Sequence, residues 1–413
     1  MAVDIGAGRA ARRAPAARRT TTERRSAAER RTPIRGGVAG DTTPQFMVLT
    51  GVIVLLLLLG LVMTFSASFV QSTAMTGNAF GIFGRQLLWS LVGLPMLVGA
   101  ALIDYHHWRR FAPVLLLVSV AAAAVVVVPG IGVQVNGARR WLDFGPLRFQ
   151  PSEMLKLTVP LYLASVLAPR WASLRAGDLR ALLLPAVPIV AFVGVLIMLE
   201  PDLETAMLIA AIAGIVLIAA GLPGRIVATG IVVVGALGLM GIATSDYRRG
   251  RFMAWLDPMS DASNFGYQTV QGYYALASGG WTGAGLGQGR GKWLYIPNAH
   301  TDYIFAIIGE EAGMLGAMGV LALFAVLAIF GFRTARFAPD PFGRLLAASI
   351  TGWLLLQATI NIGSVVGLLP VTGVTLPLVS FGGSSLVFTM LGLGMLLSVS
   401  RAAQSGPRRR SGE

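Results

Sequence analysis

Val52-Ile53-Val54-Leu55-Leu56-Leu57-Leu58-Leu59-Gly60-Leu61-Val62-Met63 lies at the centre of an uncharged run from 46 to 68. The buried helices of soluble proteins rarely sustain such a run, and about 20 apolar residues are what a helix needs to cross the hydrocarbon core of a bilayer. Further largely apolar stretches follow at about 86–104, 111–129, 153–169, 181–199, 203–221, 226–244, 303–331, 345–369 and 385–400. Ten spans predict an all-α polytopic membrane protein with both termini on one side. The spans at 153–169 and 203–221 are the least regular, because Glu153 and Lys156 in one and Glu204 in the other sit inside them or at an edge.

The composition agrees. Of 413 residues 55% are hydrophobic and 13% charged, against about 25% charged in soluble domains. The formal charge of +14 is spread over tails and short loops without an aromatic-interleaved patch, so no nucleic-acid partner is expected. There is no cysteine, which excludes disulfides and thiolate ligation and leaves oxygen or His to hold any metal. Residues 1–45 hold ten Arg and no apolar run, and read as a disordered basic tail, retained because no signal-peptide core lies near the start. Residues 46–400 form the membrane domain and 401–413 a second basic tail.

Arg and Lys set the orientation, since basic loops resist translocation. Of 33 such residues, 23 fall in the tails and in the connections on the side of the termini, which places the termini in the cytoplasm. The other ten are Arg85, Arg139, Arg140, Arg148, Lys156, Arg248, Arg249, Arg251, Arg290 and Lys292. Cations on the outer side run against the topology rule and point to an anionic ligand. The longest connection, 244–302, is rich in Gly, Tyr and Trp, as a partly folded loop on the outer interface would be.

Four clusters carry the chemistry. The first runs from Asn136-Gly137-Ala138-Arg139-Arg140-Trp141 through Gln150-Pro151-Ser152-Glu153 to Lys156. Paired Arg forks suit phosphate, and Glu153 and Lys156 share a helical face, as either a salt bridge or part of an anion site. The second, Glu200-Pro201-Asp202-Leu203-Glu204, places three carboxylates between two spans, with Asp202 as a helix cap paired to an outer Arg, or as a cation ligand. The third, His300-Thr301-Asp302, continues to Glu310-Glu311. Asp302 can act as a general base oriented by His300, or merely cap the next helix; at least one of Glu310 and Glu311 has to face the bundle interior or a cation. The fourth, 369–385, mixes Pro, Gly and hydroxyls up to Ser384, which fits a re-entrant or broken segment or a simple outer turn.

In this order, these clusters resemble the SEDS family of FtsW, RodA and SpoVE over about 46–400. The resemblance implies a peptidoglycan glycosyltransferase that polymerises lipid II from a glycan carried on undecaprenyl diphosphate. It implies Asp302 as the catalytic carboxylate, assisted by a divalent cation, Mg or Mn. It makes Arg139, Arg140, Lys156, Glu153, His300 and Lys292 the substrate-binding set, with Glu310, Glu311, Asp202 and Ser384 in support. The division branch looks closer than the elongation branch, through Gly266-Tyr267-Gln268 and Phe381-Gly382-Gly383. Implied partners are a class B penicillin-binding protein and other divisome proteins, at the septal cytoplasmic membrane. Two departures stand out: Glu204 replaces the family's usual Gly, and Ala312 follows Glu310-Glu311 where Leu is usual. A lipid II transporter is the rival reading, and a non-catalytic scaffold a third.

Overall fold

The structure is a computed structural model that describes residues 43–403 apart from 136, 137, 146 and 294; the basic tail over 1–42, the end of the C-terminal tail and the Asn136-Gly137 turn lie outside the described residues. The long helices, in order, are α1 (Pro44–Thr76), α2 (Gly81–Leu102) and α3 (Tyr105–Val127). An antiparallel sheet follows, β1 (Val133–Val135), β2 (Ala138–Phe144) and β3 (Leu147–Phe149), in the order β1-β2-β3. Next come α4 (Pro151–Leu167), the short α5 (Trp171–Arg175), α6 (Leu179–Leu199), α7 (Leu203–Ala219) and α8 (Gly224–Ala243). The long connection folds into α9 (Asp246–Leu256) and α10 (Tyr267–Gly279), and α11 (Ile304–Phe337), α12 (Pro341–Val365) and α13 (Ser384–Ala402) complete the chain.

Eight of these helices are long and apolar enough to cross a bilayer. The remaining two of the ten spans are α4 and α7, each 17 residues. They are shorter than a lipid-facing span requires because their charged first turns sit against protein. The helix α1 continues to Thr76, beyond its expected end at 68. Its last two turns replace Leu with Ser68, Gln71, Ser72 and Thr73, and 33 residues at about 1.5 Å each overrun a hydrocarbon core of about 30 Å.

α12 and α13 form the centre, with 72% and 78% of their apolar stretches buried in protein, whereas α8 has 6% and lies at the edge. The start of α1 and the end of α13 share one face, where the Thr43 hydroxyl donates to the Ser400 carbonyl at 2.8 Å. At that same face Asp340 caps α12 and accepts from the Tyr105 hydroxyl at the start of α3. The sheet, α9 and α10 cover the opposite face, called outer below.

Two interruptions shape the outer half. Between α12 and α13, residues 366–383 form no helix and dip into the bundle against α1. A Cβ on Gly60 would stand 2.2 Å from the Leu378 carbonyl oxygen, so a bare backbone is required there. Gly60 is 16 residues from the start of α1, about 24 Å along its axis, which puts the segment within the outer half of a hydrocarbon core of about 30 Å. The second interruption is in α11, where Gly313 adopts φ 66° and ψ −166°. The helix hydrogen bonds lost there are replaced by the outer loop: Ala284 and Gly285 donate to the Glu310 and Glu311 carbonyls, and Met314 and Leu315 donate to the Gly280 and Trp281 carbonyls.

Candidate functional site

A backbone that leaves helical geometry at membrane depth must find polar partners in protein. The 366–383 segment finds them in side chains from the surrounding elements. Gln357 Nε2 donates to the Thr375 carbonyl at 3.0 Å, Asn361 Nδ2 to that of Val374 at 2.7 Å, and Ser364 Oγ to that of Pro370 at 3.0 Å. Thr64 of α1 reaches the Val379 carbonyl at 3.3 Å, and Gln86 of α2 reaches that of Ser380 at 3.3 Å. The Phe381 N–H donates to the His300 carbonyl at 2.9 Å, and Ser384 Oγ accepts from the Gln150 N–H at 3.2 Å. The fourth cluster therefore ties the first cluster, at Gln150, to the third, at His300.

Asp302 sits at that junction. Its carbonyl accepts from Asn361 at 2.9 Å, and its carboxylate accepts from the Thr301 hydroxyl at 2.8 Å while part of its surface stays open. The surrounding protein raises its pKa above the ordinary carboxylate value, opposed in part by hydrogen bonding to Thr301 and by the charge of Arg251. Beneath it Tyr303 is fully buried, with its hydroxyl 3.3 Å from Thr269. His300 does not orient Asp302, contrary to the sequence expectation. Its ring packs against Phe381 with centroids 5.4 Å apart, and its buried Nδ1 has no partner among the described residues. Burial, then the nearby Arg85 charge, lowers its pKa to about 4, so the imidazole is neutral at pH 7.

The first cluster divides between surface and interior. Arg139 stands exposed on β2. Arg140 is spent on the turn between α6 and α7: it donates to the Pro201 carbonyl at 2.6 Å and lies 3.5 Å from the Asp202 carboxylate. Its expected role as a direct diphosphate ligand gives way to that contact. Asp202 also caps α7 by accepting from the Thr205 N–H at 3.1 Å, as the capping alternative holds. Lys156 and Glu153 form a buried pair at 2.5 Å, with the ammonium 3.5 Å from Gln357 Oε1, so the salt bridge is realised in the bundle interior.

Two carboxylates of the second cluster have contrasting surroundings. Glu200 is wholly buried with both oxygens unpartnered among the described residues. Burial and the neighbouring Asp202 charge, partly offset by Arg140, push it up to about 8, which keeps it neutral at pH 7. Glu204, the departure from the family pattern, meets Arg251 of α9 at 3.1 Å. The extra carboxylate thus fastens the outer loop to the start of α7.

Lys292 is not an open substrate ligand either. Its side chain has 0% exposure and pairs with the equally buried Glu311 at 2.7 Å, 5.1 Å above the Phe69 ring. Ser66 donates to both Glu311 oxygens at 2.8 and 2.7 Å, and the Gly287 N–H adds a bond at 3.0 Å. Glu310 accepts from the N–H groups of Arg290 and Gly291 at 2.7 and 3.0 Å. Both glutamates face the interior and pin the 283–292 loop beside the break in α11. Among the described residues, no three His, Asp or Glu side chains converge as a metal cage.

Sequence reading passed over Gln86, Ser66, Gln357 and Asn361, which hold this architecture together. A signal was available: amides inside otherwise apolar spans are costly in lipid and face a protein partner or a cavity.

The comparisons agree with this arrangement. The family model described as "Cell cycle protein", for FtsW, RodA and SpoVE, matches residues 46–405. A Mycobacterium tuberculosis protein named "Probable peptidoglycan glycosyltransferase FtsW" is 40% identical over 366 residues, 89% of this chain and 70% of the relative. Stage V sporulation protein E of Bacillus subtilis is 37% identical over 364 residues, 87% of this chain and 98% of the relative. A solved chain from a peptidoglycan synthase complex superposes with TM-score 0.69 at 30% identity, over 86% of this chain and 96% of that one. Thermus thermophilus RodA superposes with TM-score 0.62 at 28% identity, over 87% and 97%. The chain, a predominantly helical membrane protein built around a broken segment and a pinned outer loop, belongs to the FtsW/RodA/SpoVE family.

Proposed function

We propose that this protein is a peptidoglycan glycosyltransferase that polymerises lipid II at the outer face of the bacterial cytoplasmic membrane, during septal wall synthesis. The observation that carries the reading is Asp302: a partly open carboxylate of raised pKa at the junction of the outer loop and the broken segment. A general base works best with a pKa drawn toward the working pH. Asp302 takes the proton of the acceptor's sugar hydroxyl, that oxygen attacks the donor's anomeric carbon, and the bond to the diphosphate breaks as the new glycosidic bond forms. Each turnover releases undecaprenyl diphosphate and inverts the anomeric centre. The exposed Arg139 is a ligand for the departing diphosphate, and the buried Lys156–Glu153 pair and Ser384 position the elements that frame the site.

A divalent cation, Mg or Mn, belongs to the same reading. One accessible carboxylate suits a hard cation whose remaining ligands are substrate phosphate and water. Asp302 is the residue to hold it, and the cation would supply charge neutralisation at the diphosphate. Both termini lie in the cytoplasm, and a class B penicillin-binding protein, together with other divisome proteins, is the expected partner set.

The test uses purified protein with labelled lipid II, Mg or Mn and the cognate transpeptidase, comparing wild type with Asp302→Ala and Asp302→Asn. Polymer from wild type alone, with all variants folded, supports the reading. Normal polymerisation by Asp302→Ala overturns the site, and an inert wild type that moves lipid II between leaflets makes the protein a transporter.

A further inference from the structure

Three hydrogen-bonding side chains, Trp353, Gln357 and Asn361, follow one another at intervals of four along one face of α12, and all three are buried. Trp353 Nε1 donates to Gln357 Oε1 at 2.9 Å, which fixes the Gln357 amide so that its Nε2 faces the Thr375 carbonyl at 3.0 Å. The next turn of the helix repeats the grip one peptide earlier, with Asn361 Nδ2 donating to the Val374 carbonyl at 2.7 Å. The same NH2 group also donates to the main-chain carbonyl of Asp302 at 2.9 Å, 59 residues away in sequence. Its orientation is settled by these two acceptors, because a turned-over amide would set its own oxygen against both.

One amide therefore ties the residue that bears the base to the broken segment, and it does so from a central helix whose apolar stretch is 72% buried in protein. The Asp302 carboxylate has its own contact with the Thr301 hydroxyl at 2.8 Å. Thr301 is a chain neighbour that moves with the base, whereas Asn361 refers the base to the bundle. We propose that Asn361 is a positioning residue for glycosyl transfer, setting Asp302 against the broken segment so that its carboxylate meets the acceptor hydroxyl in line. The inference rests on the glycosyltransferase reading and adds to it the group that fixes where the base stands. A reacting group displaced by about 1 Å loses about 100-fold in rate. Asn361 is itself 1% exposed and is occupied by two carbonyls, so its removal acts on the reacting geometry and leaves the hold on lipid II in place.

The test compares two variants of the full chain with its cognate transpeptidase. Asn361→Leu keeps the side chain's volume and removes both donated hydrogen bonds. Its kcat for polymerisation should fall by about 10- to 100-fold, with KM for lipid II within about twofold of wild type and lipid II binding unchanged in a native mass-spectrometric titration. Thr64→Val is the control: it deletes a hydrogen bond to the same segment, at the Val379 carbonyl, from a helix that makes no hydrogen bond to Asp302 among the described residues, and its kcat should stay within about twofold of wild type. An equal fall in both variants makes Asn361 a strut of the segment and overturns the proposal, as does a loss confined to KM or binding, or no loss at all. If the thermal midpoint shows Asn361→Leu unfolded, Asn361→Gln carries the amide one methylene further out; a lowered kcat at unchanged KM then supports the proposal and a wild-type kcat overturns it. An inert wild type, or normal polymerisation by Asp302→Ala, defeats the glycosyltransferase reading and the proposal with it, whereas the contrast between the Asn361 and Thr64 variants judges the positioning alone.

Discussion

Replacing Lys292 by Met tests whether the outer loop is held by a buried ion pair or whether that lysine serves the substrate. The ammonium and the Glu311 carboxylate meet at 2.7 Å with no exposed surface on either side chain. Without the ammonium, Glu311 keeps only the Ser66 hydroxyl and the Gly287 N–H, too little to offset a buried negative charge. Breaking such a pair from one side costs about 3–5 kcal/mol, and removing both charges with volume preserved recovers most of it. Reversible unfolding in mixed micelles should thus show Lys292→Met destabilised by about 3–5 kcal/mol, and Lys292→Met/Glu311→Gln closer to wild type than either single variant. A loss below about 1 kcal/mol for Lys292→Met, or a double variant at the sum of the singles, would refute the pairing. If stability held while KM for lipid II rose, Lys292 would be the substrate ligand that its position among the outer cations first implied.

Four further outcomes follow from the geometry. Gly60→Val forces a side chain into the Leu378 carbonyl, where the Cβ alone would stand at 2.2 Å; expulsion of the broken segment should cost at least about 1–3 kcal/mol and abolish polymerisation, read by unfolding and by product gels. Glu204→Gly restores the family's usual residue and removes a part-exposed ion pair with Arg251, so the stability loss should not exceed about 1 kcal/mol. His300 has a folded pKa lowered to about 4, so the unfolded chain binds more protons between about pH 6.5 and 4. Stability contributed by His300 should fall with acidification across that window, and His300→Asn should flatten the fall in a pH series of thermal midpoints. The raised pKa of Asp302 places loss of the base form at a higher pH than an ordinary carboxylate near 4, so the acidic limb of polymerisation against pH should lie above that value.

The sequence displays the ten spans because long uncharged runs are dictated by the bilayer's thickness and not by neighbouring chain segments. α4 and α7 are the least visible because charge falls inside their apolar runs: Glu153 and Lys156 neutralise each other three residues apart, whereas the partner of Glu204, Arg251, lies outside any local window. Asp302 is legible as a candidate from its motif, but its lack of contact with His300 depends on where the broken segment carries Phe381. The fates of Arg140 and Lys292 are hidden for the same reason. An outer cation looks alike in sequence whether it faces solvent, as Arg139 does, or closes a turn 60 residues away, as Arg140 does on the Glu200 carbonyl.

The break at Gly313 makes α11 a composite, with part of its hydrogen-bond ladder supplied by residues 280–285. Local opening of the outer loop and fraying of an intramembrane helix are therefore one event with one free energy. The Met314 and Leu315 amides, which lie within a largely apolar helix and donate to the outer loop, should exchange with deuterium at the opening rate of that loop. Anything that tightens or loosens that loop, a docked partner included, is felt along α11, whose last turn ends at the face shared by the start of α1 and the end of α13.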